Sequence, residues 1–294
     1  MFKFFFLKTD NSKKLKKSNL YPTNNEFAYG YEDRPKISFI INHYISLKTL
    51  LKTIDNLKKL KISNEIIVIN DSGKNTDKIF SRLNKNNDTI INTYNLGESN
   101  GYIIGSKIAR AKDLIIFSQD DDLAPENDRW LKDIINYFKR DKFIGLIGLN
   151  GGGIKEYKRE LVDFARIKSD KDFFYCSWLK TGPLIFKRSV YEKINGWERF
   201  ANVGESDHFA DKYVAHKVWR SGFKACLLIN KNTKMWKRRY SRDDNLTKQD
   251  LKKLKNRQIT WNMNRKKFLK KTKKSLYSLE RKVIKANLKI GVII

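Results

Sequence analysis

In DLIIFSQDDDLAP, residues 113–125, an apolar run ends abruptly in three carboxylates, Asp120, Asp121 and Asp122, and Pro125 stops whatever came before. A short, continuous apolar run bounded by turn signals is the pattern of a strand buried on both faces. Upstream, ISFII (37–41), EIIVIN (65–70) and TIINTYN (89–95) repeat that pattern. Between the first two, Leu47, Leu50, Leu51, Ile54, Leu57 and Leu60 recur at helical spacing, and residues 101–111 read as a second helix. Alternating buried strands and helices predict an α/β chain with a mostly parallel sheet covered on both faces. Ligands of such sheets bind beyond the carboxyl ends of the strands. Asp71, in the turn after the second run, and Asp120–Asp122 both fall at such ends.

Downstream, Trp130–Phe138 has an amphipathic helical pattern, and FIGLIGLNGGG (143–153) reads as a strand entering a glycine loop. WLKTGPLIFKRSVYEKINGW (178–197) is strand-like, then helical. A helix is predicted from Ser206 to Ser221, stopped by Gly222, and then a last strand, FKACLLI (223–229). The expected organisation is a basic lead-in over 1–34, an α/β domain over 35–230, and a basic, mainly helical C-terminal appendage over 231–294.

The chain of 294 residues carries a net charge of +30, unevenly distributed. Residues 231–294 hold 22 Lys/Arg against 4 Asp/Glu, a basic excess per residue about five times that of the first 230. Such a segment suggests an anionic partner, whether membrane phosphates, a phosphorylated substrate or nucleic acid. Its aromatic residues are few, which argues against nucleic acid. Cys176 and Cys226 lack metal-ligand spacing, so reduced, intracellular thiols are expected. No stretch approaches the ~20 apolar residues of a membrane span. A cytoplasmic chain is expected, either free or peripheral on the inner face of the membrane.

Hard divalent cations such as Mn²⁺ or Mg²⁺ take one or two protein carboxylates together with substrate phosphates. In an extended stretch, residues two apart share a side. On that geometry Asp120 and Asp122 face one cleft and Asp121 faces elsewhere. A cation there would relieve the repulsion and bind a diphosphate.

The order of these motifs resembles the inverting family 2 glycosyltransferases with the GT-A fold, over roughly residues 36–242. SFIINHY (38–44), EIIVINDSG (65–73) and NLGESNGYIIGSKIARAKDLIIFSQDDD (95–122) look like that family's first two strands and the stretch leading to its D-x-D motif. The usual Pro-Thr-Tyr of the opening strand is here Asn42-His43-Tyr44. The resemblance implies a Rossmann-like sheet and a nucleotide-sugar donor, typically with uracil as base. Asp71 would bond the base and Tyr44 lie beside it. Asp122 would be the direct metal ligand and Asp120 would lie nearer the ribose, with Asp121 completing the donor-binding set. The cofactor implied is Mn²⁺ or Mg²⁺, and the acceptor a glycan or lipid-linked hydroxyl.

TGPLIFKR (181–188) and NGWERF (195–200) resemble the family's acceptor half, after which a general base is due at a helix start. Counting forward from Gly196-Trp197 favours Glu205 or Asp207. Counting back from Gly222 favours Asp211, towards which the reading leans. Asp207 and Asp211, four apart, would share a helical face. Where many relatives carry a His after the last strand, this chain has Trp236, followed by Lys237, Arg238 and Arg239. A basic side chain here, Arg239 or else Arg238, is the candidate to assist the leaving diphosphate. His43 is a candidate for lining the nucleotide cleft. Trp178 and Trp197 are candidates for an acceptor platform, set against the commoner role of core packing. The competing classes are a nucleic-acid-binding protein using the basic tail and a nucleotidyltransferase using the acidic site. The second would want a Gly-rich phosphate loop after the first strand, and residues 42–48 lack one.

Overall fold

The computed structural model describes residues 34–84, 87–153, 172–200, 207, 209–229, 232, 236–238 and 257–292. Apart from Arg34, the expected lead-in lies outside them.

Four apolar runs become the parallel half of the central sheet: β1 (Ile37–His43), β2 (Asn64–Asn70), β3 (Thr89–Asn92) and β4 (Leu114–Gln119). Their order is β3-β2-β1-β4, with β1 in register between Asn64–Asn70 of β2 and Leu114–Gln119 of β4. Every residue of β1 is buried, as a central strand covered on both faces requires.

The sheet continues as β10 (Leu184–Lys187), β6 (Ile144–Gly148), β11 (Lys224–Leu228) and β8 (Phe173–Tyr175). β10 runs antiparallel to both β4 and β6, and β8 antiparallel to β11. The turn before β10 is thereby returned to the carboxyl edge of β4, with Leu184 opposite Phe117. Two small ladders complete the strands: β5 (Asp122–Leu123) with β12 (Lys237–Arg238), and β7 (Gly152–Gly153) with β9 (Trp178–Leu179). Leu179 and Trp178 leave no room for a Cβ at Gly152 or Gly153, so these two glycines serve packing.

The helices are α1 (Leu47–Leu57), α2 (Thr76–Phe80), α3 (Glu98–Ile108), α4 (Arg129–Arg140), α5 (Arg188–Lys193), α6 (Ala210–Arg220) and α7 (Arg257–Lys289). α3 approaches the sheet on Gly101 and Gly105, one turn apart. A Cβ at Gly101 would meet Asn42 Oδ1 at 2.4 Å, and one at Gly105 would meet Ile40 Cγ2 at 2.5 Å. Phe117, at the centre of β4, packs between Tyr102, Phe186, Tyr191 and Trp197. Burying each such side chain contributes about 1.5–3 kcal/mol. Trp197 and Trp178 are only 6% and 4% exposed, so both belong to the core and neither is available as an acceptor platform.

The C-terminal helix shares this core. Phe268, Leu276, Leu279 and Val283 of α7 are buried with the residues of the sheet. Phe268 stacks on Phe209 at the start of α6. Asn287 bonds the edge strand twice: its Oδ1 accepts Tyr175 N–H at 2.9 Å and its Nδ2 donates to Tyr175 O at 2.8 Å. A side-chain amide thus occupies the backbone groups that a further strand would use. Among the described residues no helix is long and apolar enough to cross a membrane.

Candidate active site

The carboxyl ends of β1, β2, β3 and β4, the 180–183 turn and the start of α6 meet at one edge of the sheet. Asp71, at the end of β2, is 4% exposed. Its Oδ1 accepts from Thr93 Oγ1 at 2.8 Å and Leu96 N–H at 2.5 Å, and its Oδ2 from Gly97 N–H at 2.8 Å. Asp71 therefore shapes the turn between β3 and α3. A carboxylate has about four acceptor positions, so one further donor can be met. In that turn Tyr94 and Asn95 are both left-handed, with φ of 50° and 66°. Tyr94 is 48% exposed, and its ring covers Gly73, where a Cβ would lie 2.2 Å from Cε1. Tyr94 is an exposed aromatic beside Asp71 that the strand-like reading of residues 89–95 concealed. Tyr44, at the end of β1, is half-buried.

The acidic run departs from the expected alternation. β4 ends at Gln119, and Asp120 and Asp121 form a turn. Asp120 points at the amino end of α1: its Oδ2 accepts the N–H groups of Tyr44, Ile45 and Ser46 at 2.7–2.8 Å and meets His43 Nδ1 at 2.9 Å. Burial raises its pKa, but the His43 contact and the Tyr44 and Ser46 amides outweigh it and hold the carboxyl below its ordinary value. His43, 1% exposed, supports Asp120 from within the fold and does not line a cleft.

Asp122 is 3% exposed. Its Oδ2 accepts Gln119 N–H at 2.9 Å, and its carbonyl accepts Thr53 Oγ1 of α1 at 2.8 Å. Its backbone pairs with Arg238 of β12. Asp121, between them, is partly exposed. The correction has a simple cause: period-two alternation holds inside a strand, and this strand stops one residue before the carboxylates. Burial first, then the charges of Glu98, Asp122 and Asp121, push the Tyr102 hydroxyl well above its ordinary pKa. Negative charge is thus concentrated at this edge. Its oxygen-only donors fit a hard divalent cation, which needs only one or two of them beside substrate phosphates.

Asp211 lies in the first turn of α6, which begins at Ala210 and not at Ser206. Phe209, with φ 78°, ends the preceding turn. Asp211 Oδ2 accepts Thr181 N–H at 3.1 Å, and Oδ1 accepts Lys212 N–H at 2.8 Å. Burial raises its pKa above the usual carboxylate value. Lys212 and the two amides oppose that rise, and Asp207 adds to it.

Asp207 precedes the helix, so it does not share a helical face with Asp211. Both its oxygens accept Phe200 N–H, at 3.0 and 3.2 Å. Glu205 and Arg239 lie outside the described residues. Trp236 is buried edge-on against Trp130, their centroids 5.0 Å apart.

The 180–183 turn joins the two halves of the site. Thr181 N–H holds Asp211, and Thr181 Oγ1 accepts Gln119 Nε2 at 3.5 Å. Gly182, with φ +85°, lies against Asp122: a Cβ there would be 2.5 Å from Oδ2 and 2.8 Å from Oδ1. Thr181, Gly182 and Gln119 were not among the candidates from sequence. The signal that could have found two of them is the Thr-Gly-Pro turn itself.

A mixed α/β sheet with a parallel half, acidic residues at the carboxyl edge of that half and a carboxylate across from them is the layout of a GT-A sugar-transfer domain. Residues 38–194 match the family model of Glycosyl transferase family 2, and the chain belongs to that family. No curated protein matches it.

Among solved structures, GalNAc-T7 with UDP, GalNAc and Mn²⁺ aligns with a TM-score of 0.51 at 14% identity. That alignment covers 67% of this chain and 43% of that one. A mannosyltransferase from Pyrobaculum calidifontis, solved with GDP-Man and Mn²⁺, aligns with a TM-score of 0.47 at 14% identity over 90% of this chain and 83% of its own. At such identity the GalNAc-T7 alignment shows the fold alone. With the family match, the chain is a glycosyltransferase with the GT-A fold.

Proposed function

We propose that the chain transfers a hexosyl or N-acetylhexosaminyl group from a nucleoside-diphosphate sugar, a UDP-sugar in the first instance, to a hydroxyl of a glycan or lipid-linked acceptor, with inversion. The observation that supports this most is Asp211: a half-buried carboxylate of raised pKa, tied through Thr181 and Gly182 to the acidic edge.

In this reading Asp211 takes the proton of the acceptor hydroxyl. The acceptor oxygen forms its bond to the anomeric carbon on the face opposite the diphosphate. The bond from that carbon to the diphosphate oxygen breaks, and the electron pair leaves with the diphosphate. A single displacement inverts the centre. Asp122 would hold Mn²⁺ or Mg²⁺, with Asp120 and Asp121 beside it on the donor. Such an ion, when bound, offsets the charge of the leaving diphosphate. Four donors converge on Asp120 Oδ2, so Oδ1 is its oxygen for a ligand. Asp71 and Tyr44 border the nucleobase, with Tyr94 as a stacking surface. Arg239 is assigned to the diphosphate by its place in the sequence after β12. Asp207 is the second candidate base, and its bonds to Phe200 favour a supporting role.

The test is thermal stabilisation by a panel of nucleotides with Mn²⁺, followed by transfer assays with the nucleotide sugar that responds. Stabilisation by UDP plus Mn²⁺ that vanishes in Asp122→Asn, and a product of inverted anomeric configuration, are expected. No response to any nucleotide, or a product of retained configuration, overturns the proposal.

A further inference from the structure

Among its described side chains, from Asn262 on, α7 buries one face and leaves the other exposed. Phe268, Thr272, Leu276, Leu279, Val283 and Asn287 follow one another at spacings of four and three and are all 5% exposed or less. On the opposite side Met263, Lys270, Tyr277, Arg281 and Leu288 fall in one row, at spacings of seven, seven, four and seven. Met263, Tyr277 and Leu288 are 47%, 58% and 56% exposed, and Lys270 and Arg281 are exposed as well. Lys266, Lys273, Lys282 and Lys285 flank the row, all exposed. The one acidic residue of the helix, Glu280, is buried on the other side. The row spans about 38 Å at 1.5 Å per residue.

Cations alternating with isolated apolar and tyrosyl side chains on one helix face are the composition of an interfacial helix. The cations meet anionic headgroups, and the apolar side chains enter the acyl boundary. A nucleic acid would instead want a basic groove with several stacking aromatics. Among the described residues this face belongs to a single helix and forms no groove with another element in its row, which carries one aromatic, Tyr277.

We propose that this face of α7 docks the protein on an anionic phospholipid membrane, lying flat along it. Lys267 and Lys271, roughly 60–100° round the helix from the row, bond Phe200 O at 2.6 Å and Glu198. Asp207 holds Phe200 through its N–H, so it is the flank of α7, and not the row itself, that is tied to Phe200 and Asp207. The docking itself is independent of the proposed sugar transfer. Only the delivery of a lipid-linked acceptor rests on that reading.

The test is sedimentation of the full chain with vesicles of phosphatidylglycerol and phosphatidylcholine, or of phosphatidylcholine alone, at low and high salt. Binding to the anionic vesicles only, weakened by salt, is expected. A basic residue at an anionic surface contributes a factor of about five, so Lys270→Gln/Arg281→Gln/Lys285→Gln should lower partitioning roughly a hundredfold. Removing the same charge at the end of α4, in Lys139→Gln/Arg140→Gln/Lys142→Gln, should change it far less. Tyr277→Ser/Leu288→Ser should weaken the salt-resistant part. All these positions are exposed, so unchanged melting temperatures are expected and make the comparison valid.

Equal binding to neutral vesicles, no sedimentation at low salt, equal loss from the two charge variants, or oligonucleotides displacing the vesicles through this row would overturn the proposal. Vesicle binding by a chain that answers no nucleotide would leave the docking standing and remove the proposed transfer. Sugar transfer by a chain that ignores vesicles would do the reverse.

Discussion

Thr181 and Asp211 are joined backbone to side chain. The Thr181 N–H donates to Asp211 Oδ2 at 3.1 Å, and the next residue, Gly182, lies against the carboxylate of Asp122. One turn therefore sets the distance between the carboxylate that would take a proton and the carboxylate that would hold the donor's cation. A general base must sit within hydrogen-bond reach of the proton it removes, and small displacements are costly.

Asp211→Asn should lower kcat by a factor of about 10²–10⁴ while leaving nucleotide binding unchanged. Its stability should not fall. Burial raises the Asp211 pKa, so the folded state binds that proton more tightly than the unfolded one. The stabilising protonated form is complete below the unfolded value and is lost as pH rises through the folded one. An uncharged amide removes that penalty at neutral pH. Asp207→Asn should instead lower the melting temperature, because both oxygens of Asp207 accept from Phe200. Steady-state kinetics and thermal melts of the two variants distinguish them. A larger kcat loss in Asp207→Asn would reassign the base.

Gly182→Ala and Gly222→Ala form a matched pair. The two glycines have φ of +85° and +84°, so each alanine pays a similar backbone strain of about 1–2 kcal/mol. Gly222 has nothing within 4 Å of its missing Cβ, whereas Gly182 has the Asp122 carboxylate at 2.5 Å. Gly182→Ala should therefore also weaken stabilisation by nucleotide and Mn²⁺ at least tenfold, and Gly222→Ala should leave it unchanged. Titrations followed by thermal shift check this.

The legible parts of the fold are those whose signal is carried by many residues at once. ISFII, EIIVIN and LIIFS are buried on both faces and hold strands β1, β2 and β4. The less legible parts turn on one residue's conformation. The sequence gives no mark that Gln119 is the last residue of β4, so the turn at Asp120 and Asp121 is not legible in it. The pattern places the start of α6 four residues too early, because a left-handed Phe209 is rare and leaves no trace in the sequence. Strand β8 has three residues and no signal of its own in the sequence, since it is held by pairing with β11 and by Asn287 of α7. The identities of the acidic residues were readable, but not which atoms the fold itself occupies.

Acidification should destabilise the protein in two separate windows. Burial, with Arg220 nearby, lowers the His216 pKa to about 4. The folded state prefers neutral imidazole, so that stability is present above the unfolded value near 6.5 and is lost as pH falls towards 4. Asp120, also held below its ordinary value, contributes stability that is lost only at lower pH, below about 3.8. His216→Gln should flatten the first window and leave the second, as read from melting temperature against pH. Because Nε2 of His216 meets Ser275 Oγ of α7 at 3.0 Å, the first window should coincide with loosening of that helix.

Asn287→Ala should cost about 2–4 kcal/mol, far more than a surface substitution in an appended helix would. The Asn287 amide is fully buried and satisfies both backbone groups of Tyr175 on the edge strand, so alanine leaves a buried donor and a buried acceptor unmet. Asn287→Asp separates the two bonds. A carboxylate can still accept the Tyr175 N–H, but it turns a second oxygen towards the Tyr175 carbonyl and adds a buried charge. It should therefore be at least as damaging as alanine at neutral pH and recover on acidification, once its proton restores a donor. Amide exchange localises the effect: faster exchange at Tyr175 and along β11, with β1 to β4 unchanged, is expected if α7 closes the sheet's edge. Uniform acceleration across the whole sheet would show instead that the helix supports global stability, and no change would show that the edge strand stands without it.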